Sequence, residues 1–487
     1  MNRTAAARCL RIPALLALLA AASWSALAAQ AAPTQPAVSA QLADSIVITN
    51  VTLVDVANGA RQSATTVITK AGEIADIGRG ISVPPRAVRV DGTGKFLIPG
   101  LWDMHSHHQA SGAQSLDLYL ANGVVGTRDM GSDLEFILPL RDRIRRGELN
   151  GPEIVAAGPI LDNAPADWPF RRRVTNAQEA RDAVRDLKKR GVDFIKVHNN
   201  TPRDAFFAIA DETRKLGLPF AGHIPLAVTI DEGAASGIKS IEHLSESRVF
   251  RECTGKPEPY DAERCRPLFA KLAANNIWQT PTLGFFQVLP DVFSGKPMPH
   301  AEYASDSLLE LTRKNIEASK LNEQALSFLR SMSKTSATVI GDMLPRGNAF
   351  LAGCDGGVPG FCLHDELQAL TKAGLSSLQA LQTATINPAR VFGREKVQGA
   401  IEVGKRADLV LLEADPLTDI GNIRRIAAVV VRGKVLSNVD VDRMIDAHRR
   451  RGPFFDSWLF VQFLAFSSSL LVRAAGENPH RALRSMT

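Results

Sequence analysis

The stretch Phe96-Leu-Ile-Pro-Gly-Leu-Trp-Asp-Met-His-Ser-His-His108 decides how the chain is read. An apolar run ends in Pro99-Gly100, and two histidines follow at His105 and His107. Residues i and i+2 of a strand project to one face. A His-x-His pair at a strand end therefore aims two imidazoles at one point. That is half of a metal site, and the rest of the chain is searched for the other half.

Downstream of Phe96, short apolar runs alternate with longer helical stretches. The strands read from this pattern are Phe96–Asp103, Val124–Asp129, Glu153–Ile160, Phe194–His198, Phe220–Ile224, Ser240–His243, Ile277–Thr282 and Ala349–Asp355. Helices are expected over Leu134–Arg146, Ala177–Arg190, Arg203–Leu216, Thr229–Ser236 and Pro267–Asn275. Eight strands, most of them separated by helices, specify an α/β fold, a (β/α)8 TIM-type barrel over residues 96–396. A polar helical insertion over 301–344 interrupts it between the seventh and eighth strands.

The flanks have a different texture. From Ser45 to Val90, short β runs are punctuated by Asn58-Gly59, Ala71-Gly72 and Asp91-Gly92 turns. Similar runs return after Val397 and have no core of their own. Residues 45–95 and 397–439 are therefore expected to form one small discontinuous β-sandwich domain built from both flanks.

The two ends stand outside this fold. Arg3, Arg8 and Arg11, the apolar run Ile12–Ala20 and the small-residue site Ala26-Leu27-Ala28 read as a secretory signal peptide over 1–28. Residues 29–44, rich in Ala, Pro and Gln, read as a flexible linker. A periplasmic or secreted location follows. The tail over 440–487 is apolar at 11 of 15 positions between Trp458 and Val472. A spanning helix needs about 20 apolar residues. The tail is accordingly read as a helix on the body, or on a partner in a homo-oligomer, rather than as a membrane contact.

Composition narrows the function classes. The chain has 487 residues, 45% hydrophobic and 22% charged, which suits a large globular core. The formal charge is +6, but the signal holds three arginines and no acid, and the segment after Val441 carries seven arginines against four acids. The body is thus close to neutral and bears no nucleic-acid footprint. Beyond Cys9 of the signal, four cysteines remain: Cys253, Cys265, Cys354 and Cys362. An even count in an oxidising compartment suggests disulfides, and the sequence-near pairing is expected.

In a barrel, chemistry sits at the C-terminal strand ends. Those ends carry His105 and His107, Lys196 and His198, His223, Glu242-His243, and Asp355. Five of the ten histidines fall there, too many for a scatter of solvated residues.

At these positions the chain resembles the amidohydrolase superfamily, of the imidazolonepropionase-like and prolidase-like kind. The matching motifs are Pro99-Gly-Leu-Trp-Asp-Met-His-Ser-His, Ile195-Lys-Val, Ala221-Gly-His, Ile241-Glu-His, Gly353-Cys-Asp-Gly-Gly and Gly399-Ala-Ile-Glu-Val-Gly-Lys-Arg-Ala-Asp-Leu-Val. The resemblance spans about Ser45 to Ser437. It implies two divalent ions, expected to be zinc: one on His105, His107 and Asp355, the other on His223 and His243. Lys196, as the CO2-derived carbamate N6-carboxylysine, would bridge both. A free lysine is a cation near neutral pH and would repel the ions, whereas its carbamate is an anion. Two ions would lower the pKa of a bridging water to give hydroxide, with Asp355 as general base and then acid.

The substrate expected is a small molecule, a dipeptide or an N-acyl amino acid. Prolidase-like relatives carry a Tyr two residues after the lysine, where this chain has His198, which is a candidate substrate contact. Arg128 either binds a carboxylate or pairs with a nearby acid. Alternatives on the same metals are cyclic amides, lactones, phosphoesters and xenobiotic amides such as ochratoxin. An alternative of another class is a catalytically inactive metal-binding surface protein. His108 is either a support for the ligands or an ordinary loop residue.

Overall fold

The computed structural model describes residues 45–163, 170–244, 248–253, 260–304, 316 and 321–450. The expected signal peptide, the linker, the apolar part of the tail and much of the insertion lie outside these residues.

The first flank contributes β1 (Ser45–Val54), β2 (Arg61–Lys70), β3 (Glu73–Gly78), β4 (Val88–Asp91) and β5 (Phe96–Pro99). The central strands are β6 (Leu101–Ser106), β7 (Val124–Asp129), β8 (Glu153–Ala156), β9 (Ile160–Asp162), β10 (Arg171–Arg173), β11 (Ile195–Val197), β12 (Phe220–Gly222), β13 (Ser240–Glu242) and β14 (Trp278–Thr280). The second flank adds β15 (Leu409–Leu412), β16 (Ile426–Val431) and β17 (Lys434–Ser437).

The two flanks meet in one eight-stranded sheet, ordered β17-β16-β15-β5-β1-β2-β3, with β4 pairing β1. The expected sandwich is thus hydrogen-bonded as a single sheet. Antiparallel pairing sets Leu409 opposite Pro99 and Val410 opposite Ile98. Ile46, Ile48, Val51, Leu53, Leu97, Leu409 and Leu411 form a buried core on this sheet. Alternate residues of a strand face one side, so these period-two positions collect there.

The expected strand Phe96–Asp103 is two strands, β5 in the flank sheet and β6 in the barrel. Gly100 is the joint. Its amide donates to the Asp408 carbonyl at 2.8 Å. A Cβ there would lie 2.4 Å from Val125 Cγ2, so no larger residue fits without displacing β7.

The barrel strands run parallel in two groups, β6-β7-β8 and β10-β9-β11-β12-β13-β14. Backbone bonds connect them. The Asp193 amide donates to the Ala156 carbonyl at 2.8 Å. On the other side the segment 349–355 lies between β14 and β6, with Leu351 N–H on Gln279 O at 2.8 Å and Met104 N–H on Ala352 O at 2.9 Å. That segment was expected as a full eighth strand, yet only Phe350 makes a ladder bridge, to Gln279. The expected strand Glu153–Ile160 also divides, at the left-handed Gly158 followed by Pro159. Proline has no amide to give a ladder.

The helices form for local reasons. Ala177–Arg190 buries Ala180, Ala183, Val184 and Leu187, one apolar stripe at helical spacing. Asn176 caps it by accepting from the amides of Gln178 and Glu179, and left-handed Gly191 ends it. Within the insertion, Glu323–Met343 is a 21-residue helix capped by Asn322. Asn438–Arg450 is helical too. It lies on Leu116–Ala121, burying Val441 and Met444.

Cys253 with Cys265, and Cys354 with Cys362, lie at bonding distance, with Cα separations of 5.3 and 5.6 Å. This is the expected pairing.

Candidate metal centre

The C-terminal ends of β6, β11, β12 and β13 and the segment before Asp355 converge. Five imidazoles stand in a row. Ring centroids are 4.0 Å apart for His198–His223, 5.0 Å for His223–His243, 4.3 Å for His243–His105 and 5.4 Å for His105–His107. Asp355 touches three of them: Oδ1 is 3.3 Å from Nε2 of both His105 and His107, and Oδ2 is 3.6 Å from Nδ1 of His243. Lys196 is buried on β11 between the charges of Glu242 and Asp355. All six residues expected as ligands are buried.

The hydrogen bonds define the imidazole tautomers. His105 Nδ1 lies 2.9 Å from Glu242 Oε2. Glu242 also receives Arg128 Nη2 at 2.9 and 3.0 Å and the Ser240 hydroxyl at 2.5 Å, so its oxygens serve as acceptors. His107 Nδ1 is 3.1 Å from the Gly131 carbonyl, and His223 Nδ1 is 2.9 Å from Asn199 Oδ1. His243 Nδ1 is 2.9 Å from Thr282 Oγ1, whose own proton goes to the Pro281 carbonyl at 2.8 Å. The Nδ1 atoms of His105, His107 and His223 therefore carry the proton and leave Nε2 its lone pair, whereas the His243 nitrogen that faces Asp355 is Nδ1.

Those lone pairs test the fit to a metal. His105 Nε2, His223 Nε2 and Asp355 Oδ1 are buried and make no hydrogen bond among the described residues. A buried polar atom without a partner costs about 1–3 kcal/mol. Donor atoms of His105, His243 and Asp355 lie within 4.8 Å of one another. Neutral imidazoles and a carboxylate are a donor set suited to a divalent ion.

Electrostatics keep the groups in ligand form. Burial pushes His105, His198 and His223 well below the usual histidine range, and His243 down to about 4. They are neutral at pH 7. Burial alone would raise the Asp355 carboxyl, but His243, His105 and His107 more than offset it and hold it far below the carboxylate range. Burial lowers Lys196 to about 8 against the pull of Glu242 and Asp355.

The backbone is bent to achieve this. His243, Thr282 and Asp355 all sit at positive φ, of 56°, 48° and 62°. Such conformations cost about 1–3 kcal/mol each in a non-glycine residue. The Asp103 carboxylate ties the strand ends together, accepting from the amides of His105 and Cys354, each at 3.0 Å.

Arg128 is corrected as a substrate contact. Nε donates to the Met104 carbonyl at 2.7 Å, Nη1 to Ser240 at 2.8 Å and Nη2 to Glu242. The guanidinium is consumed inside the barrel beneath the histidines. His198 remains at the site: it stacks on His223, and its Nδ1 is 3.7 Å from Asp162 Oδ2. His108 turns away, with its Nε2 2.8 Å from Thr127 Oγ1 and its ring against Tyr119.

Several site residues had no role in the sequence reading. Glu242 stood inside a quoted motif and was passed over. Asn199 and Thr282 have no local signal: Thr282 meets His243 across 39 positions. Arg171, a buried guanidinium on β10 ion-paired to Asp162, has a charge that is felt by His198, His223 and Lys196.

A profile of the amidohydrolase family matches residues 96–436. A protein named "probable imidazolonepropionase" from Nematostella vectensis is 24% identical over 427 residues, covering 75% of this chain and 88% of its own. Among solved structures, a Xaa-Pro dipeptidase with methionine in its active site superposes with a TM-score of 0.64 at 21% identity, over 81% of this chain and 100% of that one. The A. niger ochratoxinase does so at 0.61 and 20%, over 82% and 97%. Identities this low speak for a shared TIM-barrel-type α/β fold, while the profile covers most of the chain. The chain belongs to the amidohydrolase family and is a metal-dependent hydrolase acting on carbon–nitrogen bonds.

Proposed function

We propose that the protein cleaves the amide bond of N-acyl amino acids or dipeptides, releasing an amine that carries a free carboxylate. The observation that supports this most is the set of buried donor atoms, His105 Nε2, His223 Nε2 and Asp355 Oδ1, that make no hydrogen bond among the described residues, with His105 and His223 held from behind through Nδ1.

His105, His107 and Asp355 would hold one ion and His223 and His243 a second, with zinc the best match to the donors. Lys196 would stand between them as N6-carboxylysine. Near neutral pH a lysine lowered to about 8 has a usable neutral fraction. Its amine adds to CO2, forming the N–C bond and losing a proton, and becomes an anion. Divalent ions, when bound, acidify water and polarise a carbonyl.

The chain's own groups do the rest. Asp355, unprotonated at neutral pH, takes the proton of the attacking water and returns it to the leaving nitrogen. Glu242, Asn199 and Thr282 hold their imidazoles in orientation. His198 and the Arg171–Asp162 pair form a polar corner suited to the substrate carboxylate.

The cysteine pairs at bonding distance favour an oxidising compartment, so we place the protein in the periplasm or outside the cell.

Metal analysis tests the site: two ions per chain, one or both lost on Lys196→Ala, with a 13C carbamate resonance from labelled CO2 in the parent alone. A single ion indifferent to that substitution rules out the bridged pair. A panel of dipeptides, N-acyl amino acids, lactones and phosphoesters tests the reaction. Turnover confined to the last two classes would replace the amide reading.

A further inference from the structure

An open cavity is lined by His107 and Asp355, and by none of the other four imidazoles of the row. Its walls are mainly apolar: Ala110, Leu118, Tyr119, Val358 and Pro359 line it. Among the described residues no lysine or arginine lines it, and beyond His107 and Asp355 the one ionisable side chain among them other than tyrosine is His448. His448 and Tyr303 line it as well. Both are fixed there: His448 Nε2 is 2.9 Å from the Gln114 carbonyl, and Arg449 lies over the Tyr303 ring at 4.9 Å and donates to its hydroxyl. His448 belongs to the helix Asn438–Arg450, beyond the residues matched by the family profile.

The position of this cavity has a chemical consequence. His107 and His198 are the two ends of the imidazole row. The polar corner of His198, Asp162 and Arg171 is at one end, and the apolar cavity is at the other. A substrate lying along the row with its carboxylate in the polar corner puts the acyl side of its amide in the cavity. The N-terminal ammonium of a dipeptide would meet apolar walls there and lose its hydration without replacement. An uncharged acyl chain or aromatic acyl group would instead leave water for a surface like itself.

We propose that this cavity is the acyl subsite, and that it selects N-acyl amino acids with large apolar acyl groups over free dipeptides. The helix Asn438–Arg450 contributes His448 to its wall. This rests on the amide-hydrolase reading above and narrows it. The geometry assigns Val358 and His448 as residues that set acyl length.

The test is a series of N-acyl derivatives of one amino acid, from acetyl to decanoyl and phenylacetyl, with the matching dipeptides. It is run on the metal-loaded parent, Val358→Phe and His448→Ala, and the metal content of each is measured. The parent is expected to prefer long or aromatic acyl groups over acetyl, and acetyl over dipeptides. Val358→Phe fills the cavity, and the long-to-acetyl ratio of kcat/KM should fall by about tenfold or more, the worth of roughly two buried methylenes. His448→Ala enlarges the cavity and should move the optimum to longer chains. Unchanged acyl ratios in both variants, with metal content intact, overturn the subsite while leaving the amidase reading standing. A parent that prefers dipeptides overturns it as well. A metal-loaded parent that turns over no amide overturns the functional reading and the subsite together.

Discussion

Glu242→Gln is a sharp perturbation of this molecule because it keeps the shape of the side chain and removes one charge. Glu242 is fully buried and, besides accepting from the Ser240 hydroxyl at 2.5 Å, serves two further partners. One is the Arg128 guanidinium at 2.9 and 3.0 Å, and the other is His105 Nδ1 at 2.9 Å. Without the carboxylate, Arg128 is a buried cation held by neutral acceptors. Removing one partner of a buried pair costs about 3–5 kcal/mol. The remaining bonds from Arg128 to Met104 O and Ser240 Oγ place the expected loss near the lower end, about 3 kcal/mol. His105 is affected separately. A glutamine can turn its NH2 toward Nδ1, which favours the tautomer protonated at Nε2, the nitrogen facing Asp355. Loss of such a supporting partner weakens metal affinity by about 10–100-fold. The two effects are measured independently: denaturant unfolding of the metal-free protein reads the first, and competition with a chelator reads the second. A variant matching the parent in both would refute the reading of Glu242 as the group that neutralises Arg128 and orients His105.

Other consequences follow from the same structure. Lys196→Ala should release one or both ions and abolish amide hydrolysis, as metal analysis and turnover would show. Gly100→Ala should destabilise the fold by about 1–3 kcal/mol in a denaturant melt, because its Cβ would overlap Val125 where the sheet passes into the barrel. Glu366 is buried under the helix Leu283–Phe293, accepting from Gly284 N–H at 2.6 Å, and burial pushes its carboxyl up to about 8. Its raised folded pKa means that its contribution to stability is complete below about 4.5, the unfolded value, and is lost as pH rises to about 8. Relative to the parent, Glu366→Gln should therefore gain stability across that window, by at most about 1.4 kcal/mol per pH unit. A difference independent of pH between 4.5 and 8 would contradict the assignment of this shift.

Much of the site was legible because its ligands sit at strand ends, where spacing alone sets direction. His105 and His107 are two apart, and their imidazoles both reach Asp355. The lysine and the single histidines needed the further idea that parallel strands deliver their C-terminal ends to one place. Strand limits were less legible. Phe96–Asp103 reads as one apolar run, yet it divides at Gly100 because its halves join different sheets. The segment at 349–355 has strand-like sequence but makes only isolated backbone bonds, since its end must bend to set Asp355 at positive φ. Arg128 was ambiguous because a guanidinium looks the same in sequence whether it awaits a substrate or is consumed by a buried acid.

What the sequence determined by itself was the alternation of strand and helix, the enclosing flanks and the identity of the converging residues. These are properties of periodicity and spacing, which are local. What only the tertiary structure decided was which nitrogen of each histidine faces the centre, what neutralises Arg128, and which helix contributes a wall residue to the cavity at His107. Each depends on a partner far away in the chain: Glu242 lies 137 residues from His105, and His448 meets Gln114 across 334. Hydrogen bonds and burial at such separations exist only once the strands have assembled, so no local pattern records them.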